Sequence, residues 1–446
     1  MFAKMTNTQA KAQILEMVEN YCHSFHNTEE VFMPGDRIPY AARVYDSAEM
    51  CGLVESALEF WLTAGRYTAE FELKFADYLG VGHCALVNSG SSANLLAFMA
   101  LTSPLLKERA IRRGDEVITV AAGFPTTVSP IIQFGAVPVF VDVTIPQYNI
   151  DVSQLEAALS PKTKAVMLAH TLGNPFDIAT VKSFCDKHSL WLVEDNCDAL
   201  GSTFEIGGKM LFTGSIGDLG TSSFYPPHHM TMGEGGAVYT NNPLLSKIVF
   251  SMRDWGRDCV CMSGQDNFCG QRFDGHYGEL PKGYDHKYVY SHFGYNLKAT
   301  DMQAVLGVNQ LKKLNKFVKK RQLNYIRLRS ALAEVEDRFI LPEPCAGSNP
   351  SWFGFLLTCR EGIDRSKVLA HLESKNIQTR MLFAGNLVKH PCFDEMRSEG
   401  TGYRQIGQLE NTERIMRDTF WLGVYPGMTD EKIDYMVEMI CEFVQP

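Results

Sequence analysis

Short apolar runs alternate with amphipathic segments through the middle of the chain. SSANLLAFMALTS (91–103) and IATVKSFCDKHS (178–189) carry the apolar spacing of helices. The apolar runs predict strands at 84–89, 115–122, 137–143, 164–170, 190–196, 219–225 and 235–240. Strands that alternate with helices indicate a mainly parallel sheet with helices on both faces. Ligands of such sheets bind beyond the carboxyl ends of the strands, so the residues that follow each run are the candidate site.

The second half of the chain departs from this pattern. Residues 257–292 show little periodicity and are rich in glycine, aspartate and aromatic residues, which is typical of a long functional loop. A long helical pattern follows over 300–334. Beyond it, WFGFLLTC (352–359) and helices that begin near Asp364 and Asp430 predict a smaller α/β domain.

These features predict three parts along the chain. Residues 51–335 form a large, ligand-binding domain that contains the loop 257–292. Residues 336–446 form the small C-terminal domain, and residues 1–50 form an N-terminal segment that packs on it.

The composition is that of an ordinary globular protein. Of 446 residues, 45% are hydrophobic and 21% are charged. A formal net charge of −9 argues against a nucleic-acid-binding protein, which normally carries a basic patch. The sequence shows neither a run of about 20 apolar residues that would span a membrane nor the apolar core of a signal peptide. We therefore expect a cytoplasmic protein whose 12 cysteines are not paired as disulfides.

Three strand ends carry candidate ligand-binding residues. NSGSSAN (88–94) closes a strand and opens a helix, where free N–H groups and the helix dipole favour a phosphate. Asp195 ends another strand, and its carboxylate is suited to pair with a protonated ring nitrogen. Phe124 follows a third strand and is suited to stack on a planar ring. Taken singly, these features also fit a helix cap, a structural aspartate and a core phenylalanine.

Together these segments resemble one family across nearly the whole chain. VNSGSSANLLA (87–97), VEDNCDALG (193–201), SFYPPHHMTMGEGG (223–236) and GYNLKATD (294–301) follow the motif order of the nucleotide-sugar aminotransferases, which are pyridoxal-phosphate enzymes. The resemblance implies a fold-type I transferase, with a mainly parallel central sheet between helices and a smaller C-terminal α/β domain.

The resemblance also implies roles for named residues. The implied cofactor-binding residues are Gly90, Ser91, Phe124, Asp195, Asp198, Ser223 and Asn296. Among them, Gly90, Ser91 and Ser223 take the phosphate and Asp195 takes the pyridine nitrogen. Asn296 reaches the phosphate of the neighbouring subunit, so the resemblance implies a homodimer.

One position departs from the family motif. Five residues after Ser223, where the family has the lysine that forms a Schiff base, this chain has His228. An imidazole cannot form that stable link, so we expect pyridoxamine or pyridoxal phosphate to be held without a covalent bond. Histidine can transfer protons near neutral pH, and we therefore predict that His228 is a catalytic base. The alternative is an inactive aminotransferase, and His229 is predicted to be structural.

Four cysteines form a candidate metal site. Cys259, Cys261 and Cys269 are spaced C-x-C-x7-C within the loop, and Cys197 follows Asp195 by two residues. Four thiolates suit a tetrahedral zinc ion or an iron–sulfur cluster, and the spacing alone leaves both open.

The histidine together with these cysteines resembles one group within the family, the CDP-4-keto-6-deoxyglucose 3-dehydrases. EFWLTAGRYTAEFE (59–72) and TRMLFAGNL (379–387) extend the resemblance. It implies a [2Fe–2S] cluster on Cys197, Cys259, Cys261 and Cys269. The implied reaction is C3 deoxygenation of CDP-4-keto-6-deoxy-D-glucose for the dideoxyhexoses of lipopolysaccharide. Dehydration by pyridoxamine phosphate and His228 precedes reduction, with electrons from a separate NAD(P)H-dependent iron–sulfur flavin reductase.

Two other functions compete with this one. A metal-free, pyridoxamine-phosphate-dependent 3-dehydratase of another nucleotide-linked 4-keto-6-deoxysugar would not need the four cysteines. A binding protein held together by zinc would bind neither cofactor nor nucleotide sugar. Arg380, Lys389 and His390 are candidate contacts to a sugar diphosphate, and the residues do not distinguish CDP from TDP.

Overall fold

The computed structural model of the chain describes residues 2–26, 31–259, 261, 267, 270 and 272–444. Its helices are α1 (Asn7–Phe25), α2 (Ser47–Glu59), α3 (Arg66–Leu79), α4 (Gly90–Ala100), α5 (Pro125–Phe134), α6 (Leu155–Ala158), α7 (Ile178–His188), α8 (Pro243–Arg253), α9 (Asp301–Leu311), α10 (Leu314–Ala331), α11 (Arg365–Ser374), α12 (Asp394–Glu399), α13 (Glu410–Asp418) and α14 (Asp430–Val444). Its strands are β1 (His83–Val87), β2 (Glu116–Val120), β3 (Val137–Val141), β4 (Thr163–Ala169), β5 (Trp191–Asp195), β6 (Thr203–Ile206), β7 (Lys209–Phe212), β8 (Leu219–Ser223), β9 (Gly236–Thr240), β10 (Phe339–Ile340), β11 (Ser348–Asn349), β12 (Gly354–Cys359), β13 (Arg404–Gln405) and β14 (Thr419–Gly423). None of these helices is both long and apolar enough to cross a membrane.

The central sheet has eight strands in the order β1-β9-β8-β5-β4-β2-β3-β13. Neighbours from β8 to β13 run parallel, and β9 runs antiparallel to both β1 and β8. The predicted α/β fold with a mainly parallel sheet is therefore confirmed. All seven predicted strands are present, and their ends lie within two residues of the predicted ends.

The sheet is buried on both faces. Along β2, Val117 packs into one hydrophobic core and Ile118 into another, on the opposite face. Leu192 and Val193 alternate in the same way along β5. Successive side chains of a strand point to opposite faces, so a strand covered on both sides needs a continuous apolar run. This explains why the apolar runs located the strands so closely.

A second sheet, β10-β12-β14, lies in the C-terminal part of the chain. Phe355, Leu357 and Ile440 belong to the hydrophobic core of this part. Ile38 of the N-terminal segment belongs to the same core, whereas α1 packs against α2. The division into residues 1–50, 51–335 and 336–446 stays a prediction.

The helical pattern over 300–334 was expected to be one stretch, and this expectation was wrong. The structure has two helices, α9 and α10, with a break at Lys312 and Lys313. The amine of Lys313 forms ion pairs with Asp46 (2.7 Å) and Glu49 (2.7 Å) at the start of α2. The break therefore coincides with a contact to a distant segment, which the amphipathic pattern does not reveal.

The two-residue strand β13 joins the C-terminal part of the chain to the central sheet. It pairs parallel with β3, and Arg404 donates a hydrogen bond to the Glu116 carboxylate (2.8 Å). Nearby, the Asp142 carboxylate accepts the N–H groups of Asn411 (2.9 Å) and Thr412 (2.8 Å). The sequence did not predict this strand, because two residues carry no periodicity.

Candidate active site

A cavity of about 310 Å³ lies between the carboxyl ends of the central strands and the C-terminal part of the chain. Its polar lining residues are Ser91, Asn94, Thr126, Asp195, Cys197, Asp198, Ser223, His228 and Arg380. Its aromatic lining residues are Tyr40, Phe124, Tyr225, Phe353, Phe383 and Trp421. This is the place where an open, mainly parallel sheet binds its ligands.

One end of the cavity is formed by the start of α4. The Ser89 hydroxyl caps the helix by accepting the N–H of Ser92 (3.0 Å). A Cβ atom at Gly90 would lie 2.4 Å from the Cβ of Ser223, so glycine allows the helix start to touch the end of β8. Gly90, Ser91 and Ser223 consequently meet at the cavity, where the helix N-terminus favours an anion. The arrangement fits the phosphate of the predicted cofactor.

Asp195 is buried at the end of β5, and its carboxylate is held by three donors. One oxygen accepts hydrogen bonds from the Asn94 amide (2.7 Å) and the Thr127 hydroxyl (2.7 Å), and the other accepts the N–H of Cys197 (3.2 Å). The Thr221 hydroxyl donates to the Asn94 carbonyl (2.6 Å), which fixes the orientation of that amide. A carboxylate oriented in this way is suited to pair with a pyridinium N–H, and this role of Asp195 stays a prediction.

The strand that carries Asp195 is anchored through the preceding residue. The buried Glu194 carboxylate accepts the backbone N–H groups of Gly214 (2.7 Å), Ile216 (2.9 Å) and Gly217 (2.5 Å). It also pairs with the His170 ring (2.9 Å). Four partners satisfy this buried charge, so the end of β5 has a fixed position.

His228 faces the cavity and pairs with Asp198. Its Nε2 lies 3.2 Å from Oδ1 of Asp198, and both side chains are largely buried. Its Nδ1 is buried and makes no hydrogen bond to any residue in the described part of the chain. If Nε2 carries the hydrogen bonded to Asp198, Nδ1 carries the lone pair and can accept a proton. Sequence reasoning assigned Asp198 to the cofactor and missed its pairing with His228.

A buried arginine, Arg321, contacts the backbone of the loop that carries His228. Sequence reasoning also missed this residue. Arg321 donates to the carbonyl oxygens of His228 (3.2 Å) and Trp352 (3.2 Å). Burial lowers the pKa of Arg321 to about 9, partly offset by the charge of Asp198. His229 points away from the cavity and bonds to the Ser351 carbonyl (2.7 Å), and burial lowers its pKa well below the usual value.

Phe124 and Asn296 have different positions relative to the cavity. Phe124 is 49% exposed and lines it, with its ring edge-to-face against Phe383 (6.3 Å between centroids). This placement fits a residue that covers a planar ring. Asn296 is exposed and lies outside the lining of the cavity of its own chain. Its role toward a neighbouring subunit stays a prediction.

The predicted cluster ligands do not converge in the described part of the chain. Cys197 lines the cavity beside Asp195, where burial and that carboxylate raise the pKa of its thiol well above the usual value. Cys259 and Cys261 line a second cavity of about 790 Å³, and the Cys261 N–H donates to the Cys259 sulfur (3.4 Å). Cys269 lies outside the described residues. Within those residues, no group of three or more His, Cys, Asp or Glu side chains could hold a metal ion.

The [2Fe–2S] prediction therefore lacks support from the geometry, for a simple reason. Cys197 follows a central strand, whereas Cys259 and Cys261 follow α8 and line a different cavity. Common residue type and short spacing suggested one site, but the fold separates the first thiol from the other two.

Comparisons with known proteins identify the family of the chain and several relatives. The profile of the DegT/DnrJ/EryC1/StrS aminotransferase family matches residues 45–441. The chain is 51% identical over 441 residues to the lipopolysaccharide biosynthesis protein RfbH of Salmonella typhimurium, covering 98% of this chain and 99% of the relative. It is 49% identical over 440 residues to the dTDP-4-dehydro-2,6-dideoxy-D-glucose 3-dehydratase of Saccharopolyspora spinosa, covering 98% of this chain and 92% of the relative.

A solved structure shows the same fold. It is the GDP-4-keto-6-deoxy-D-mannose-3-dehydratase of E. coli with bound hydrated PLP, which is 26% identical to this chain. The TM-score is 0.79, and the match covers 91% of this chain and 99% of the other. The proteins to which this chain is similar thus include two that are named as sugar 3-dehydratases.

Proposed function

Because the chain belongs to the DegT/DnrJ/EryC1/StrS aminotransferase family, we propose that it is a pyridoxamine-phosphate-dependent 3-dehydratase of a nucleotide-linked 4-keto-6-deoxysugar. The observation that carries the proposal is His228 in the place of the family's lysine, inside a cavity that fits the cofactor elsewhere. Two relatives that are named as sugar 3-dehydratases support the reaction class, and the relative named for lipopolysaccharide biosynthesis supports a role in dideoxysugar synthesis.

The chain's own residues divide the chemical work. When bound, pyridoxamine phosphate supplies a primary amine and an electron-accepting pyridine ring. Asp195 would place its carboxylate beside the ring nitrogen, and Gly90 and Ser223 would hold the phosphate end. His228 lines the cavity, and its imidazole would take up a proton and return one to the leaving hydroxyl.

Asp198 is the positioning residue for this base. Its carboxylate lies 3.2 Å from Nε2 of His228 and fixes the ring orientation. Arg321 fixes the backbone of the same loop from the opposite side. The base is therefore oriented through both its ring and its main chain, which general-base catalysis requires.

The histidine itself tests the proposal. We expect His228→Asn to bind pyridoxamine phosphate but to lose about 10²–10⁴-fold in dehydration rate, as removal of a general base does. His228→Lys should place an amine within reach of pyridoxal phosphate, so the cofactor should become covalently attached to the protein. Borohydride makes this bond permanent, and mass spectrometry detects it. His188→Asn, at a distant surface histidine, is the matched control. Full activity of His228→Asn would contradict the proposal.

A finer form of the proposal concerns the nucleotide and the electrons. It specifies a CDP-linked substrate and a [2Fe–2S] cluster on Cys197, Cys259, Cys261 and Cys269, reduced by a separate NAD(P)H-dependent flavin reductase. The Cys261 N–H donates to the Cys259 sulfur, which brings two of the four cysteines together but does not bring Cys197 to them. Iron and sulfide assays on anaerobically purified protein decide between the two forms. Equal iron in wild type and Cys261→Ser would contradict the cluster.

The predicted homodimer is also part of the proposal. Asn296 is exposed, and the adjoining Leu297 carbonyl accepts the N–H of Asn88 (2.8 Å), next to the phosphate end of the cavity. If Asn296 serves a neighbouring subunit, monomers should not retain the cofactor. Sedimentation with cofactor absorbance measures both properties, and a monomer that binds pyridoxamine phosphate normally would contradict the assignment.

A further inference from the structure

The end of the cavity opposite the phosphate site carries one strong cation. Arg380 is the only lysine or arginine among the described residues that line the cavity. Its guanidinium donates a hydrogen bond to the Thr379 carbonyl (2.8 Å) and lies over the Tyr40 ring, 4.0 Å from the ring centre. It forms no ion pair with a described carboxylate. Lys389, which the sequence also offered as a diphosphate contact, is instead paired with Glu413 (2.7 Å) and does not line the cavity, so it is not part of this site.

Tyr40 reaches this position because the N-terminal segment is bonded to the C-terminal part. Ile38 pairs with residues 376 and 378 through two backbone hydrogen bonds of 2.9 and 3.0 Å. Tyr40 lies two residues beyond Ile38, and Arg380 lies three residues beyond Ile377, the bridge partner of Ile38, so the two side chains come together. A Cβ atom at Gly423 would lie 2.1 Å from the Tyr40 carbonyl oxygen, so glycine is required where the segment crosses β14.

Aromatic rings connect this cation to the catalytic end. The His228 ring lies 5.3 Å from Phe353, Phe353 lies 5.5 Å from Trp421, and Trp421 lies 5.4 Å from Tyr40, all between centroids. Arg380 packs on the outer face of Tyr40. The wall between the base and the guanidinium is therefore apolar and continuous, and it is long enough to lie alongside a sugar ring.

The parts of a nucleotide sugar follow one another in the same order as the base, the aromatic wall and the cation. Its keto sugar must lie near His228, and its diphosphate follows the sugar along the molecule. We infer that Arg380, held in place by Tyr40, binds the diphosphate of the substrate. Guanidinium groups bind phosphates through paired hydrogen bonds, and stacking on an aromatic ring leaves their N–H edges available. The inference rests on the proposed function and names the part of the site that recognises the substrate.

A consequence concerns the region that precedes the family domain. The family profile begins at residue 45, so Tyr40 lies outside it. The N-terminal segment thus contributes to substrate binding through Tyr40, in addition to packing on the C-terminal part.

Binding measurements test the inference without depending on turnover. Cofactor-loaded protein is titrated with CDP, dTDP and GDP, each with its monophosphate and nucleoside, by calorimetry. We expect Arg380→Gln to weaken binding of the preferred diphosphate by about tenfold or more, as loss of a charged hydrogen-bonding partner does. The diphosphate affinity of Arg380→Lys should lie between those of the wild type and Arg380→Gln. Tyr40→Ser should weaken binding in the same direction by about threefold, and Tyr40→Phe should match wild type because the ring is retained.

The controls separate this site from the cofactor site and from misfolding. Lys389→Gln removes the same charge outside the cavity and should leave diphosphate affinity unchanged. Pyridoxamine phosphate affinity and the melting temperature should stay at wild-type values in Arg380→Gln. Equal diphosphate affinity in Arg380→Gln and Lys389→Gln would overturn the inference while the proposed function stands. If Arg380→Gln lost as much affinity for pyridoxamine phosphate as for the diphosphate, Arg380 would belong to the cofactor phosphate site. That result would also overturn the inference. A wild-type protein that binds none of the three diphosphates would overturn both.

Discussion

Two aspartate–histidine pairs lie in two regions that are built differently. Asp198 and His228 (3.2 Å) meet at the edge of the central sheet, inside the cavity. Asp258 and His286 (2.8 Å) meet in the long segment between α8 and α9. In that segment the Ser291 hydroxyl also donates to Asp258 (2.5 Å). The same two residue types therefore line a cavity in one region and connect two parts of a loop in the other.

The two pairs have the same residue types, and they differ in the surroundings of their histidines. The His228 side chain lines a cavity, and its buried Nδ1 has no hydrogen-bond partner among the described residues. The His286 ring is stacked on Tyr277, with 4.8 Å between centroids and 9° between planes. A histidine that covers an aromatic ring and bonds to a carboxylate adds stability to its loop, whereas one that faces a cavity can act on a ligand.

The largest effect should come from removing the carboxylate of the first pair. Asp198→Asn should lower kcat by about 100-fold, within the range of a general-base contribution, because His228 loses its orientation and its counter-charge. The KM and the affinity for pyridoxamine phosphate should change little, and Asp198→Glu should restore part of the rate. Steady-state kinetics of Asp198→Asn and Asp258→Asn provide the comparison. Equal loss of kcat in both variants would remove the distinction between the regions.

A smaller effect should follow from a glycine replacement at the sheet edge. Gly90→Ala forces its Cβ against Ser223, and we expect a cost of about 1–3 kcal/mol, mainly as weaker cofactor binding. In the long segment, Gly278 has a φ of +55° and no atom within 4 Å of an added Cβ. Gly278→Ala should therefore cost only about 1 kcal/mol of backbone strain and leave cofactor affinity unchanged. Cofactor titration and thermal unfolding of both variants check this, and similar cofactor affinities would count against the phosphate site.

The smallest effect concerns the second pair and its pH dependence. Burial opposes ionisation of Asp258, but hydrogen bonds from Ser291 and His286 prevail and hold its pKa below the usual 3.8. A lowered carboxyl pKa stabilises the fold at neutral pH, and this stabilisation is lost as the pH falls below about 4. Asp258→Asn should thus cost about 0.5–1 kcal/mol at pH 7, because the pair is partly screened by solvent. Urea unfolding at pH 7 and pH 3 measures it, and a cost that grows at pH 3 would contradict this account.

The comparison also shows what the sequence could predict. Gly90, Asp195, Ser223 and His228 follow buried strands, and the carboxyl ends of those strands meet at one edge of the sheet. An apolar run fixes where a strand ends, so the sequence predicted which residues would come together there. The cysteines were grouped by type and spacing, and that signal did not specify a common location.

Other contacts of the site had no local signal at all. Arg321 reaches the His228 carbonyl across 93 positions of the sequence, and Arg380 meets Tyr40 across a still longer interval. Neither follows a strand of the central sheet. The sequence offered Arg380 as a contact to a diphosphate but did not indicate Tyr40 beside it, and it did not single out Arg321. Such contacts depend on how the C-terminal part is placed against the sheet, which periodicity does not encode.

The short strand at Arg404 and Gln405 has a consequence for how the chain is made. It covers the outer edge of β3, yet it lies more than 260 positions later in the sequence. Synthesis at about 5–20 residues per second leaves that edge without its partner for roughly ten seconds or longer after β3 has left the ribosome. An open strand edge is a template for pairing with other chains. The nascent protein therefore passes through an interval in which the edge of its largest sheet is open to pairing with other chains, and this interval closes only when the last tenth of the chain is translated.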